Sequence, residues 1–196
     1  MKQRTSPVGQ YILEGLGEIE NAHDYIEQLV PLIGEVVLYF NSLESSLDSC
    51  LCAFISDRSD QKGLLVLHKM NYKTKVDLYE RFTREYLRTM DWDIKAHENL
   101  ITSLNECGSL RNKVVHANWE YTDEEGFTQV RIKYTKQGLE HELWQFSIES
   151  MNEILKKIEA AITALSDFEE ECEERMCQWN QDIASRLQGK EADPDE

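Results

Sequence analysis

Arg111, Asn112 and His116 fall within the segment Leu110-Arg111-Asn112-Lys113-Val114-Val115-His116-Ala117-Asn118-Trp119. An arginine is a permanent cation with a planar fork of donors suited to phosphate. An imidazole can give or take a proton near neutral pH. Together they are the groups that metal-independent cleavage of a phosphodiester requires, and the amide of Asn112 lies close to both in the sequence. Lys113 adds a second cation that could contact a phosphate, or serve simply as a surface lysine. No other segment of the chain concentrates comparable chemistry.

The segment closes a long helical pattern. On a helix Asn112 and His116 are i, i+4 neighbours, whereas Arg111 lies about 140° around the axis from His116. One helix therefore does not aim both at one phosphate from one direction. Either the long arginine reaches around, or a second copy of the helix completes the cleft. Gly108, three residues before Arg111, offers room for a bend or for close approach of another backbone. A purely structural reading stands beside this one. Cations in a last helical turn complement the macrodipole by about 0.3–1 kcal/mol, and Asn118 could take a left-handed cap position.

The remaining residues exclude much. His23, His68, His97 and His141 lack paired-ligand spacing, so neither a metal nor a cofactor is expected. There is no phosphate loop, dinucleotide fingerprint or Gly-x-Ser-x-Gly elbow. Cys50, Cys52, Cys107, Cys172 and Cys177 are odd in number and scattered, which points to buried or incidental thiols rather than a disulfide framework. No apolar run reaches the roughly 20 residues that span a bilayer, and the first ten residues lack the apolar centre of a signal peptide. A cytoplasmic location is expected, without a membrane partner.

The chain has 196 residues and a net charge of −16, which at first argues against nucleic acid. The charge is uneven. From Asp167 to Glu196 there are eleven acids against three bases, while Lys73 to Lys113 holds eight bases against seven acids. The acidic end reads as a solvated helix face or as a surface for a basic partner; a narrow cleft in the near-neutral middle remains compatible with phosphate.

Periodicity predicts a mainly α fold, a bundle of about five helices with a small β-hairpin inserted after the motif helix. Helices are expected over about 11–29, from Pro31 to Ile55 with the proline in its first turn, over 73–89, over 94–117, and from Ser147 to about Leu187. Residues 64–70 read as a short apolar stretch. A hairpin is expected within about 119–146, turning at 123–126, with Val130, Ile132 and Tyr134 on one face. One domain spans 10–188, with 1–9 and 189–196 as loose tails.

Arg111 to His116 resembles the signature of the HEPN superfamily: an arginine, then a polar residue, then a histidine four to six positions beyond the arginine. Phe40-Asn41-Ser42-Leu43-Glu44-Ser45-Ser46-Leu47 is similar to the aromatic–x–x–Leu–Glu–x–x–Leu helix that precedes the motif in small bacterial HEPN-like proteins. Met70-Asn71-Tyr72-Lys73-Thr74-Lys75 is similar to the lysine-containing stretch opening their next helix. The likeness covers roughly 30–120. It implies a metal-independent endoribonuclease of a toxin–antitoxin or phage-defence system, acting on RNA as a homodimer paired through the motif helices, with an antitoxin or defence partner. In that reading His116 moves a proton, Arg111 holds the phosphate, and Asn112 orients the histidine or donates to the phosphate. Lys113 meets an RNA phosphate, and Glu44 accepts a hydrogen bond from the motif. The alternatives are a solvated acidic face for Glu44, which has Asp48 one turn on, and a non-catalytic HEPN-like scaffold for the whole chain.

Overall fold

The computed structural model describes residues 1–12, 22–56, 58–92, 95–123 and 125–191. In chain order the elements are β1 (Gln3–Pro7), α1 (Ala22–Ile55), α2 (Asp60–Leu67), α3 (Tyr72–Met90), α4 (Ala96–Val115), β2 (Asn118–Thr122), β3 (Phe127–Thr135), β4 (Gly138–Gln145) and α5 (Ile148–Glu191). The described residues are mainly helical, with one small antiparallel sheet ordered β1-β4-β3-β2.

The apolar stripe of α1 explains its length. Leu29, Val36, Phe40, Leu43, Leu47 and Leu51 recur every three, four or seven residues and are all buried. Pro31, expected to open a new helix, lies inside α1 instead. An internal proline costs about 3 kcal/mol through its missing N–H and ring clash. Burial of Leu29 and the packing of Tyr25 before it offset that cost, because they face the same core as Val36 and Phe40. The expected earlier helix is not seen at Tyr11 and Ile12, which sit in a turn, and its next residues, 13–21, lie outside those described.

The other helices carry local start signals. Asn71 caps α3, its Oδ1 accepting from the Thr74 amide at 3.0 Å. Ser147 and Ser150 cap α5 reciprocally: each hydroxyl oxygen accepts the other's backbone N–H. Ser59 caps α2 by accepting from the Gln61 amide, so part of the apolar stretch 64–70 is helical. The last helix continues to Glu191, past the expected end at Leu187.

The β region exceeds a hairpin. Gln3–Pro7, expected as loose tail, pairs with β4 in the register Gln3 to Trp144 and Pro7 to Glu140. A bulge at Val130 interrupts the pairing of β3 with β4: Gln129 faces Leu143, but Arg131 faces Glu142. Val130 and Ile132 are half-buried, while Tyr134 is exposed. The turn before β3 is tied by Asp123, whose Oδ1 accepts from the amides of Glu125 and Phe127. Gly126 has φ +80, with the Tyr25 ring and the Phe146 carbonyl where a side chain would go. Among the described residues no helix is long and apolar enough to cross a membrane.

Candidate phosphate cleft

Helix α4 packs one face into the core through Leu100, Leu104, Cys107, Leu110 and Val114. This fixes the motif. Val114 is fully buried and Arg111 and Lys113 are half-buried; Asn112 and His116 are exposed. The helix ends at His116, whose backbone N–H donates to the Asn112 carbonyl at 3.0 Å. Asn118 begins β2, so it does not form the expected left-handed cap. The indole of Trp119 donates to the Val114 carbonyl at 3.0 Å and packs on Phe146, pinning the motif's end to the sheet.

Arg111 lines a cleft of about 650 Å³ between α1, α3 and α4, together with Phe40, Glu44, Tyr72, Lys73 and Asn105. Its guanidinium carbon lies 5.4 Å from the centre of the Phe40 ring. One terminal nitrogen donates to Asn112 Oδ1 at 3.1 Å, and Nε is buried without a hydrogen-bond partner. Burying a charged donor unpaired is costly. An incoming oxyanion would relieve that cost if it reached Nε. Across the cleft Lys73 is held by Asp77 and Asn105, each at 2.8 Å.

His116 opens elsewhere, onto a hollow of about 400 Å³ with Lys113, Val130, Arg131 and Glu142. Ser109 and Asn112 line both hollows, so they form a shared wall. The helical offset read from the sequence thus persists: one chain places Arg111 and His116 on either side of Asn112. The imidazole makes no side-chain hydrogen bond among the described residues.

Two expectations for this region fail. Glu44 does line the Arg111 cleft, but its carboxylate accepts from Lys75 Nζ at 2.8 Å rather than from the motif. Lys75 is buried, and both Glu44 and Asp48, one turn apart, are drawn to compensate its ammonium. Gly108 is not open to another copy. A side chain there would come within 2.8 Å of the Tyr72 ring, which packs on Phe40 and donates its hydroxyl to the Leu104 carbonyl.

Lys113 lies over the Trp144 ring, its Nζ 3.6 Å from the centroid. Burial lowers its pKa; Glu142 acts to raise it, and Arg131 and Lys133 lower it again. Arg131, Lys133 and Glu142 do not stand out in the sequence. Their only signal is alternating charge on a strand, and the bulge that brings Arg131 opposite Glu142 has no sequence mark. No family model, curated protein or solved structure matches the chain. Among the described residues no group of three or more His, Cys, Asp or Glu could hold a metal ion. The five cysteines are free, and burial pushes Cys50 up to about 12 and Cys107 and Cys172 to about 11, so these three stay protonated near neutral pH.

Proposed function

We propose that this chain is a HEPN-like helical bundle and a cytoplasmic, metal-independent endoribonuclease of defence or toxin type. The observation that carries the reading is the Arg111 guanidinium, set over the Phe40 ring with a buried, unpartnered Nε at the wall of a roomy cleft. Such a group is prepared for an oxyanion. In the reaction a ribose 2′-oxygen attacks the adjacent phosphorus and the bond to the 5′-oxygen breaks. His116 takes the 2′ proton or supplies one to the departing oxygen, and Arg111 stabilises charge on the phosphate. The products end in a 2′,3′-cyclic phosphate and a 5′-hydroxyl.

Because Arg111 and His116 open onto separate hollows, the active unit in this reading is a dimer paired along α4, with Arg111 of one copy serving the His116 side of the other. The filling of Gly108 by Tyr72 removes one argument for that pairing and leaves the angular offset as its support. The same separation favours a second reading: a scaffold that binds phosphate at Arg111 without cutting. RNA incubated in EDTA with wild type, Arg111→Ala and His116→Ala distinguishes the two. The nuclease reading expects cleavage by wild type and a drop of about 10²–10⁴ in rate for His116→Ala. RNA left intact by wild type, or cleaved by both variants as fast as by wild type, overturns it.

A further inference from the structure

The outward side of the sheet beside His116 carries cations held by one buried acid. Glu142 is 3% exposed and accepts from Arg131 Nε at 2.5 Å, Lys133 Nζ at 2.6 Å, Trp144 Nε1 at 2.8 Å and Gln3 Nε2 at 3.0 Å. Four donors satisfy that carboxylate and fix the two cations in place. The ion pair uses the Nε of Arg131, while the side chain stays 60% exposed and lines the His116 hollow. Lys113 closes the group from α4, stacked on the indole that also donates to Glu142. Glu140, half-buried, stands across the strand pair from Lys133. Glu106 also acts on Lys113 but is itself paired with Lys157; counting all of these, four cations face three acids here, in a chain of net charge −16.

The bulge at Val130 creates this arrangement. Continued from Gln129–Leu143 without it, the register would place Arg131 opposite His141 on the buried side of the sheet. With it, Arg131 and Lys133 share the face of Glu142 and Trp144, next to Asn112 and His116. The cations are thus pre-positioned rather than free to sweep solvent, which lowers the ordering cost of binding an anion.

Resting on the ribonuclease reading, we propose that Lys113, Arg131 and Lys133 form a second phosphate subsite. It would hold the backbone of single-stranded RNA next to the bond presented to His116. Glu142 is the anchor of this subsite and does not touch RNA. Interactions of this kind add affinity without reading sequence. Arg131 and Lys133 are therefore positioning residues, expected to act on RNA binding and KM more than on kcat.

The test uses a fluorescent single-stranded RNA with 2′-O-methyl riboses, which lacks the attacking hydroxyl, titrated by anisotropy over a range of salt. Arg131→Gln with Lys133→Gln should weaken binding about tenfold and reduce the salt slope by ~0.7 for each phosphate no longer neutralised. Arg131→Lys should retain most of the affinity. Should the double variant unfold by stranding Glu142, adding Glu142→Gln removes the stranded charge without restoring the cations, and that triple variant gives the reading. Equal affinity and slope for wild type and the folded variant overturn the subsite, as does failure of wild type to bind. Cleavage of unmodified RNA separates the two ideas. Wild type that binds through Arg131 and Lys133 but does not cut keeps the subsite and overturns the nuclease; wild type that cuts through His116 while the variant binds normally overturns the subsite alone.

Discussion

Val114 and His116, two positions apart on the same helix end, divide structure from chemistry. Val114 is fully buried, whereas His116 is exposed and makes no side-chain hydrogen bond among the described residues. His116→Ala should therefore change stability by no more than about 1 kcal/mol, as surface substitutions do, while abolishing most RNA cleavage. Val114→Asp should unfold the domain, since its carboxylate would enter the core without a partner. Thermal melts beside activity assays check both; a His116→Ala protein that melts as Val114→Asp does would make the imidazole structural. Other ionisable groups report on the fold instead. His141 is fully buried, accepts at Nδ1 from the Gln129 amide at 3.1 Å and has no partner for Nε2. Burial lowers the pKa of His141, and of His97, so the unfolded chain binds protons that the folded chain does not. Stability from both is present above the unfolded value of about 6.5 and falls as pH drops below it. Glu142 adds a later loss. Burial alone would raise its pKa, but hydrogen bonds from Lys133, Trp144 and Arg131 and the Arg131 charge hold it at about 2. Its contribution disappears as pH falls from its ordinary value of 4.5 toward 2. The melting temperature should decline between pH 7 and 5 and again below 4.5; a flat profile over the first interval would contradict the assignment of His141 and His97.

At the scale of elements, Gly108 links packing to the cleft. Tyr72 fills the space beside it, Tyr72 packs on Phe40, and Phe40 underlies Arg111. Gly108→Ala would gain about 1 kcal/mol of helix propensity but force the Tyr72 ring away, at a cost of about 1–3 kcal/mol for overpacking. A net destabilisation with weaker RNA binding is expected; a more stable protein with unchanged binding would show that this packing does not hold Arg111. These elements also show what the sequence makes legible. The third and fourth helices follow from 3.6-residue periodicity, and the Asn71 and Ser147–Ser150 caps are local signals. Pro31 misleads because a local rule about proline ignores how much core lies on both sides of it. β1 is hidden because Gln3–Pro7 is short, polar and paired to a strand more than 130 positions away. Arg111, Asn112 and His116 are legible as types and spacing. Arg131 and Lys133 are not, because a bulge at Val130 decides which face they occupy.

At the scale of the molecule, the chain holds two hollows that share a wall and splits the motif between them. If each site is composite, chains lacking Arg111 and chains lacking His116 complement each other. Light scattering at micromolar concentration should then find a dimer, and a strictly monomeric protein would remove the composite site. The most direct measurement is cleavage of RNA in EDTA by wild type, by each of Arg111→Ala and His116→Ala alone, and by the two variants mixed after unfolding and refolding together, with product ends read by mass spectrometry. Wild type should leave 2′,3′-cyclic phosphates, each variant alone should be nearly inactive, and the mixture should recover about a quarter of wild-type activity, since half the dimers would carry one intact composite site. RNA that stays intact with wild type, or that both variants cut as wild type does, would contradict the composite ribonuclease site.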